Sequence, residues 1–136
     1  MKIKIIIFNH IFIIAGCVYE PPPVFYYFSI INNTNQILYI ESETKDDSYM
    51  KYDTLFAGQE FNRKIVEMQC YDDYYKDSLV ATFFKKLKIC TNEKKINMDP
   101  FKRINWNEKL DLKGRNCKYG NAYYKLEINS KYFQNY

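Results

Sequence analysis

Histidine is almost absent from this 136-residue chain, and the single copy, His10, lies in an apolar stretch at the N-terminus. That stretch is predicted below to be removed, so the mature chain would contain no histidine. Catalysis by Ser-His-Asp or Cys-His arrangements and zinc binding through imidazole all need this side chain. The sequence therefore argues against these classes of enzyme and metalloprotein.

Glycine and closely spaced cysteines are scarce as well. The four glycines form no phosphate-binding loop, and the four cysteines include no Cys-x-x-Cys pair that would indicate a metal cluster or a redox site. The acidic pairs at 46–47 and 72–73 lack the spacing of a calcium loop, and surface solubility explains them better than glycoside hydrolysis does. We expect no cofactor, no metal site and no enzymatic activity.

No strong excess of one charge is present. The net charge of +4 falls to +2 when Lys2 and Lys4 leave with the N-terminal segment, because 18 basic and 16 acidic residues remain. A solvated charged surface explains the short basic clusters at 85–88 and 94–95 better than a nucleic-acid site does. We therefore expect no nucleic-acid partner.

The first seventeen residues have the parts of a secretory leader in the required order. Lys2 and Lys4 supply the positive start, residues 5–14 form an apolar run, and two small residues follow. The run is shorter than the roughly 20 apolar residues that span a bilayer, so a removed signal peptide, 1–16, is favoured over an anchor helix. In the alternative interpretation, residues 3–14 form a buried strand and Cys17 is an ordinary core cysteine.

The end of this segment, Ile14-Ala15-Gly16-Cys17, resembles the lipobox of bacterial lipoproteins. The resemblance implies that Cys17 receives a diacylglyceryl group on its thiol and becomes the acylated N-terminus after cleavage. Several acyl chains, each contributing about 0.8 kcal/mol per buried CH₂, would hold the protein permanently on a membrane. Val18 replaces the aspartate that retains such proteins at the inner membrane, which favours the outer membrane with the domain facing the periplasm.

The mature chain reads as a short stalk followed by one domain. Residues 17–23 contain the lipidated cysteine and three prolines that favour an extended polyproline II stalk. Residues 24–136 are long enough for a single core. Strands are predicted at 24–31, 36–42, 61–71, 79–90 and 121–128, with a hairpin turn at 32–35 and a loop at 72–77.

The predicted fold class is all-β, an antiparallel sandwich of immunoglobulin-like type or a small barrel. The 14 Tyr and 10 Phe suit half-buried strands. A short helix or irregular insert is expected near 97–110, with Trp106 in the core. Together with the lipobox, this short domain resembles the small uncharacterised envelope lipoproteins of Bacteroidetes-type bacteria.

Three mature cysteines can form one internal disulfide and leave one thiol. If residues 72–77 close a hairpin, Cys70 lies opposite Leu79, and Cys90 is eleven residues farther along the same strand. The distance between the two cysteines is then about 36 Å, too far for a disulfide. We therefore predict a disulfide between Cys90 and Cys117.

Two surface features complete the expectations. Tyr71, Tyr74 and Tyr75 flank the acidic loop and could form an aromatic binding surface. Thr54 and Ser78 lie in acid–hydroxyl–apolar triplets that resemble the O-glycosylation motif of Bacteroidetes envelope proteins.

The function predicted from these observations is a non-enzymatic, lipid-anchored envelope protein that binds or positions another envelope molecule, a protein or a glycan. Two alternatives remain open. The first is an inhibitor or immunity-type lipoprotein that acts on a protein partner, and the second is a carboxylate-dependent glycan hydrolase.

Overall fold

The computed structural model describes residues 20–47, 49–71 and 77–133, and within them the chain is mostly β-strand. The predicted signal peptide, Cys17, Tyr74 and Tyr75 lie outside the described residues. The elements in chain order are β1 (Val24–Asn32), β2 (Leu38–Thr44), β3 (Lys51–Leu55), β4 (Glu60–Glu67), α1 (Leu79–Phe83), β5 (Phe84–Cys90), β6 (Asn107–Lys113) and β7 (Tyr119–Ile128).

Two sheets share one core. The four-stranded sheet has the order β4-β1-β7-β6, and the three-stranded sheet has the order β3-β2-β5. The predicted all-β sandwich is confirmed, while the immunoglobulin-like topology stays a prediction. All pairs are antiparallel except β1 with β7, which run parallel side by side.

The predicted hairpin between the first two strands is wrong, because β1 and β2 belong to different sheets. Asn32 ends β1 with no exposed surface, and its side chain binds the backbone of the connection that crosses to β2. The turn-forming residues at 32–35 therefore make a corner between sheets. Leu38, Ile40 and Ser42 alternate along β2 and form its buried face.

The hairpin assumed across residues 72–77 in the disulfide argument does not form. β4 pairs with β1, whereas β5 pairs with β2, so the strands on either side of residues 72–77 lie in different sheets. The segment predicted as one bent strand, 79–90, instead begins with the short helix α1. Its residues Leu79, Val80 and Phe83 are buried against the core.

Two strands were missed in the sequence, and both lie at sheet edges. β3 and β6 are exposed along most of their length, and their sequences, KYDTL and NEKLDLK, are too polar to suggest a buried strand. An edge strand pairs on one side only and can keep polar side chains on both faces. Hydrophobic periodicity therefore gives no signal for it.

The core is an aromatic cluster between the sheets. Phe28 on β1 packs edge-on against Phe84 and Trp106, at 5.1 and 5.6 Å between ring centroids, and stacks on Tyr124. Trp106 is 3% exposed, which confirms its predicted place in the core. The expected helix near it is one 3₁₀ turn, Arg103–Asn105.

The disulfide prediction is wrong in its pairing. Cys70 is bonded to Cys117, with 5.0 Å between their Cα atoms, and Cys90 is the free thiol among the described cysteines. The assumed hairpin does not exist, because the chain at Tyr71 pairs with Lys118 and so brings Cys70 beside Cys117. The exclusion of a bond between Cys70 and Cys90, and the expectation of one leftover thiol, are confirmed.

The proline segment before β1 is in contact with the domain. Its three prolines are half-buried, and the Gly120 amide donates a hydrogen bond of 3.4 Å to the Pro23 carbonyl. Of the predicted stalk residues that are described, only Glu20 is exposed, and the three prolines belong to the domain. No helix within the described residues has the length and apolar character needed to cross a bilayer.

Candidate functional site: an aromatic and lysine-rich sheet face

The predicted tyrosine surface is contradicted at Tyr71, while Tyr74 and Tyr75 lie outside the described residues. Tyr71 is 7% exposed, and its hydroxyl lies 3.2 Å from the hydroxyl of Tyr124 in the core. It is buried because the disulfide and the bridge to Lys118 hold this segment against β7. Its predicted role in a binding surface is therefore wrong.

The basic cluster at 85–88 belongs to an ion-pair network on the outer face of the three-stranded sheet. Lys86 and Lys88 bind Glu41 at 2.8 and 3.2 Å, and Lys85 binds Glu43 at 2.7 Å. The bond from Lys86, followed by that from Lys88, lowers the pKa of Glu41. A bulge beside Glu43 accommodates the extra lysine. All three lysines are therefore held in ion pairs with the two glutamates of the neighbouring strand β2.

The two candidate glycosylation residues are both exposed. Thr54 lies on the edge strand β3 rather than in a loop, and Ser78 precedes α1. The apolar residue of each triplet, Leu55 or Leu79, is buried in the core. The third position thus has a structural role in both triplets.

The outer face of the four-stranded sheet carries a different cluster. Phe25, Tyr27 and Tyr123 lie at its centre on β1 and β7. Lys64, Lys109 and Lys125 surround them from β4, β6 and β7. We call these six residues the aromatic–lysine face.

Strand register places four of these residues in one row across the sheet. Tyr27 pairs with Lys64 on one side and with Tyr123 on the other, and Tyr123 pairs with Lys109. Successive residues of a strand point to opposite faces. Tyr123 is 38% exposed while Tyr124 is buried, as the alternation in the sequence predicted.

The rings of this face support one another. Tyr27 and Tyr123 are stacked with centroids 5.0 Å apart and an interplanar angle of 14°. The ammonium of Lys64 lies 4.4 Å from the Phe25 centroid and 5.6 Å from the Tyr27 centroid, within the range of a cation–π interaction. Phe25 and Tyr27 are consequently half-buried, whereas Tyr123 is left open on the side of β6.

An open groove of about 670 Å³ lies along that side of Tyr123. Its walls combine one aromatic ring, one amide, two ammonium groups, two carboxylates and one aliphatic side chain. The wall residues are Asn107, Glu108, Lys109, Leu110 and Asp111 on β6, with Tyr123 and Lys125 on β7.

The centre of the aromatic–lysine face is positively charged. Lys64, Lys109 and Lys125 form no ion pair with any residue in the described ranges. The outward acidic residues of this sheet lie in the two rows that flank these positions: Asp111 is level with Asn121, and Glu60 and Glu127 are level with Ile31, so the two central rows contain no carboxylate. An anionic ligand would therefore be attracted to the centre of the face.

Behind β6, on the inner side of the sheet, lies a mostly buried polar network. Arg103 binds Glu108 at 2.8 Å and the Trp106 carbonyl at 2.7 Å, and its guanidinium lies over the Tyr124 ring. Burial, with a smaller contribution from the Tyr71 hydroxyl, raises the pKa of Tyr124 far above its ordinary value. This phenol therefore stays protonated, which suits a structural hydrogen bond rather than a general base.

The acidic pairs offer no metal site in the part of the chain that is described. Asp47 forms an ion pair with Lys51 at 3.5 Å, and no group of three or more potential ligand residues is found in these ranges. The second pair, 72–73, lies outside them.

Sequence reasoning missed most of the aromatic–lysine face. The alternation of residues 121–128 does predict that Tyr123 and Lys125 share a face. It carries no information about the neighbouring strands. The partners Tyr27 and Lys109 depend on the parallel β1–β7 pair and on an edge strand that the sequence did not reveal.

Comparison with known proteins gives no match: no family model, no curated protein and no solved structure is significantly similar to this chain.

Proposed function

We propose that this protein is a non-enzymatic, lipid-anchored protein of the bacterial cell envelope that binds another envelope molecule through the aromatic–lysine face. The observation that carries the binding part of the proposal is the row of stacked tyrosines and unpaired lysines beside an open groove. Exposed aromatic side chains provide contact area with little loss of conformational entropy on binding, and unpaired lysines add electrostatic attraction.

The anchoring part rests on the lipobox at Cys17. Pro21 is the fourth residue after Cys17, so even a fully extended chain between them spans about 14 Å. Because the prolines lie against the domain, a lipid on Cys17 would keep the start of β1 close to the bilayer surface. We assign the protein to the outer membrane, facing the periplasm; digestion of the domain by protease added to intact cells would contradict this location.

The anchor is tested by growing cells with a labelled fatty acid. Wild-type protein should carry the label, and Cys17→Ser should remain an unlabelled precursor because the modifying enzyme needs the thiol. Cys90→Ser is the matched control, since it also removes a free thiol but should keep the label. Equal labelling of wild type and Cys17→Ser would refute lipid anchoring.

The binding face is tested with two aromatic substitutions on opposite faces of the sandwich. Tyr123→Ala should lose the envelope material that wild-type protein retains. Tyr52→Ala should keep it, because Tyr52 is 73% exposed on the outer face of the three-stranded sheet. Retention that is unchanged by Tyr123→Ala would refute the proposed face.

A second candidate function is an inhibitor or immunity-type lipoprotein that binds a protein partner. It is favoured by the exposed aromatic residues near β3, where Tyr49, Tyr52 and Phe56 are 67%, 73% and 54% exposed. Tyrosine and phenylalanine are enriched in protein interfaces. Under this candidate, a protein should co-purify with wild type and with Tyr123→Ala but be lost with Tyr52→Ala.

A further inference from the structure

We infer that the ligand of the aromatic–lysine face is an acidic glycan, a chain of sugar rings that carry carboxylate or sulfate groups, bound in the groove between β6 and β7. The inference rests on the proposed function, because it names the chemical class of the envelope molecule that this face binds.

The first argument is the open side of Tyr123. One face of its ring stacks on Tyr27, and because β7 lies between β1 and β6, the other face is directed toward the groove. A sugar ring presents an apolar face of C–H groups that can pack on an aromatic ring. The stack on Tyr27 fixes the Tyr123 ring before a ligand arrives, which lowers the entropic cost of binding.

The second argument is the chemistry of the groove walls. Asn107 can both donate and accept hydrogen bonds, Asp111 accepts, and Lys109 and Lys125 donate. Sugar hydroxyls need both kinds of partner in close succession. The distance from Asn107 to Asp111 along β6 is about 14 Å, so several neighbouring groups of a chain could be contacted at once.

The third argument is charge complementarity. Lys109 and Lys125 line the groove without an ion pair in the described ranges, and Lys64 lies on the far side of the stacked tyrosines. The groove also contains two carboxylates, but Glu108 is paired with Arg103, so Lys109 and Lys125 face only Asp111 and the groove keeps an excess of positive charge that a neutral glycan would not balance. Carboxylate or sulfate groups on the sugar would bind them with charge-assisted hydrogen bonds.

Two other anionic partners fit the face less well. A bilayer surface offers no chain to enter a groove, and the rings nearest the tether, Phe25 and Tyr27, are half-buried instead of protruding. An acidic peptide would add to the open edge of β6. That edge carries charged side chains on both of its faces, Lys109 and the inward Glu108 among them, a pattern that opposes strand addition.

The experiment uses affinity electrophoresis of the full lipidated protein in detergent, through gels that contain one polymer each. The acidic polymers are polygalacturonate, alginate, hyaluronan and chondroitin sulfate. Methyl-esterified polygalacturonate is the neutral match for the first, and polyglutamate is an anionic chain without sugar rings. We expect at least one acidic glycan to slow the wild type, with weaker retardation as salt is raised.

The variants distinguish the contribution of the Tyr123 ring to glycan binding from that of the lysine charges. Tyr123→Ala and the double substitution Lys109→Gln with Lys125→Gln should each weaken binding to that glycan by about tenfold or more. Tyr52→Ala and Lys45→Gln, both at exposed positions outside the face, should bind as wild type does. Circular dichroism should show that all variants remain folded.

Three outcomes would overturn the inference: no retardation by any acidic glycan, equal retardation by the methyl-esterified polymer, or equal retardation by polyglutamate. The proposed function has its own readout. If envelope material is still retained in a Tyr123-dependent way while every acidic glycan fails, the glycan assignment is refuted and the binding face stands. If neither the retention of envelope material nor the retardation by glycans depends on Tyr123, both the binding face and the glycan assignment are refuted.

Discussion

At the scale of single residues, Asn32 makes four side-chain hydrogen bonds at the corner between the two sheets. Its amide nitrogen donates to the carbonyls of Gln36 and Leu55 at 2.7 and 3.0 Å. Its side-chain oxygen accepts from the amide and the hydroxyl of Thr34 at 3.0 and 2.7 Å. One buried side chain thus connects the end of β1, the corner and the end of β3.

We predict that Asn32→Ala lowers the free energy of unfolding by about 2 to 4 kcal/mol, because it leaves several buried polar groups without partners. Asn33→Ala is the matched control: its side chain is exposed, so the change should stay within about 0.5 kcal/mol. Urea unfolding of both variants measures the difference. Similar midpoints for the two would show that the corner does not depend on this side chain.

Tyr124 predicts a pH dependence of stability. In the unfolded chain its phenol ionises with a pKa of about 10, whereas burial raises that pKa well above this value in the folded chain. The folded state therefore binds a proton that the unfolded state releases. The contribution to stability is complete below pH 10 and declines above it, by about 1 kcal/mol per pH unit.

Urea unfolding at pH 9 and pH 11 tests this dependence in wild type and in Tyr124→Phe. The variant should be less stable at pH 9, because the hydrogen bond between the Tyr71 and Tyr124 hydroxyls is removed, but it should lose less stability between the two pH values than wild type does. Parallel curves for the two proteins would refute the assignment to Tyr124.

At the scale of elements, the close approach of β6 to β7 depends on Gly120. This residue has a φ of +127°, and a Cβ atom built there would lie 2.5 Å from the Asp111 carbonyl oxygen on β6. Such a contact is too short for a side chain. Any larger residue must push β6 away or change the backbone of β7.

We predict that Gly120→Ala destabilises the protein by about 2 to 4 kcal/mol. Gly58→Ala is the control, because Gly58 also has a positive φ, +77°, but a Cβ atom there would meet no other atom within 4 Å. The control should cost only about 1 to 2 kcal/mol. Thermal unfolding compares them. An equal loss in both would mean that φ alone, and not the contact with β6, limits position 120.

At the scale of the whole molecule, the disulfide joins the chain just after β4 to the chain just before β7. Cys70 and Cys117 are 47 residues apart in sequence, and a crosslink over such a loop restricts the unfolded chain. The link holds together two segments that flank β1 on either side of the four-stranded sheet.

We predict that Cys70→Ser combined with Cys117→Ser lowers the free energy of unfolding by about 2 to 4 kcal/mol. Cys90→Ser should have a smaller effect, because its thiol makes one long contact with the Tyr39 carbonyl, at 3.8 Å. Denaturant unfolding measures both, and peptide mapping without reductant identifies the bond directly. A peptide joining Cys90 to Cys117 would contradict the structure.

The sequence by itself determined the local properties of this protein. Alternation identified which residues of β2 and β7 share a face, and the apolar runs located β1 and most of β4 and β5, because these features depend on the residues of one strand. The resemblance of residues 14–17 to a lipobox, and the anchor proposed from it, also rest on a short stretch of sequence, and the expected leftover thiol rests on the number of cysteines. They need no knowledge of which strands are neighbours.

The tertiary structure alone decided which strands meet. Turn residues at 32–35 fit a hairpin and a corner between sheets equally well, and the choice is made by burial of Asn32 and the core packing around it. The disulfide and the aromatic–lysine face follow from that choice. Cys70 meets Cys117, and Tyr27 meets Tyr123, because β4 and β7 flank β1. Contacts between residues far apart in sequence depend on the packing of the whole chain, which no local pattern encodes.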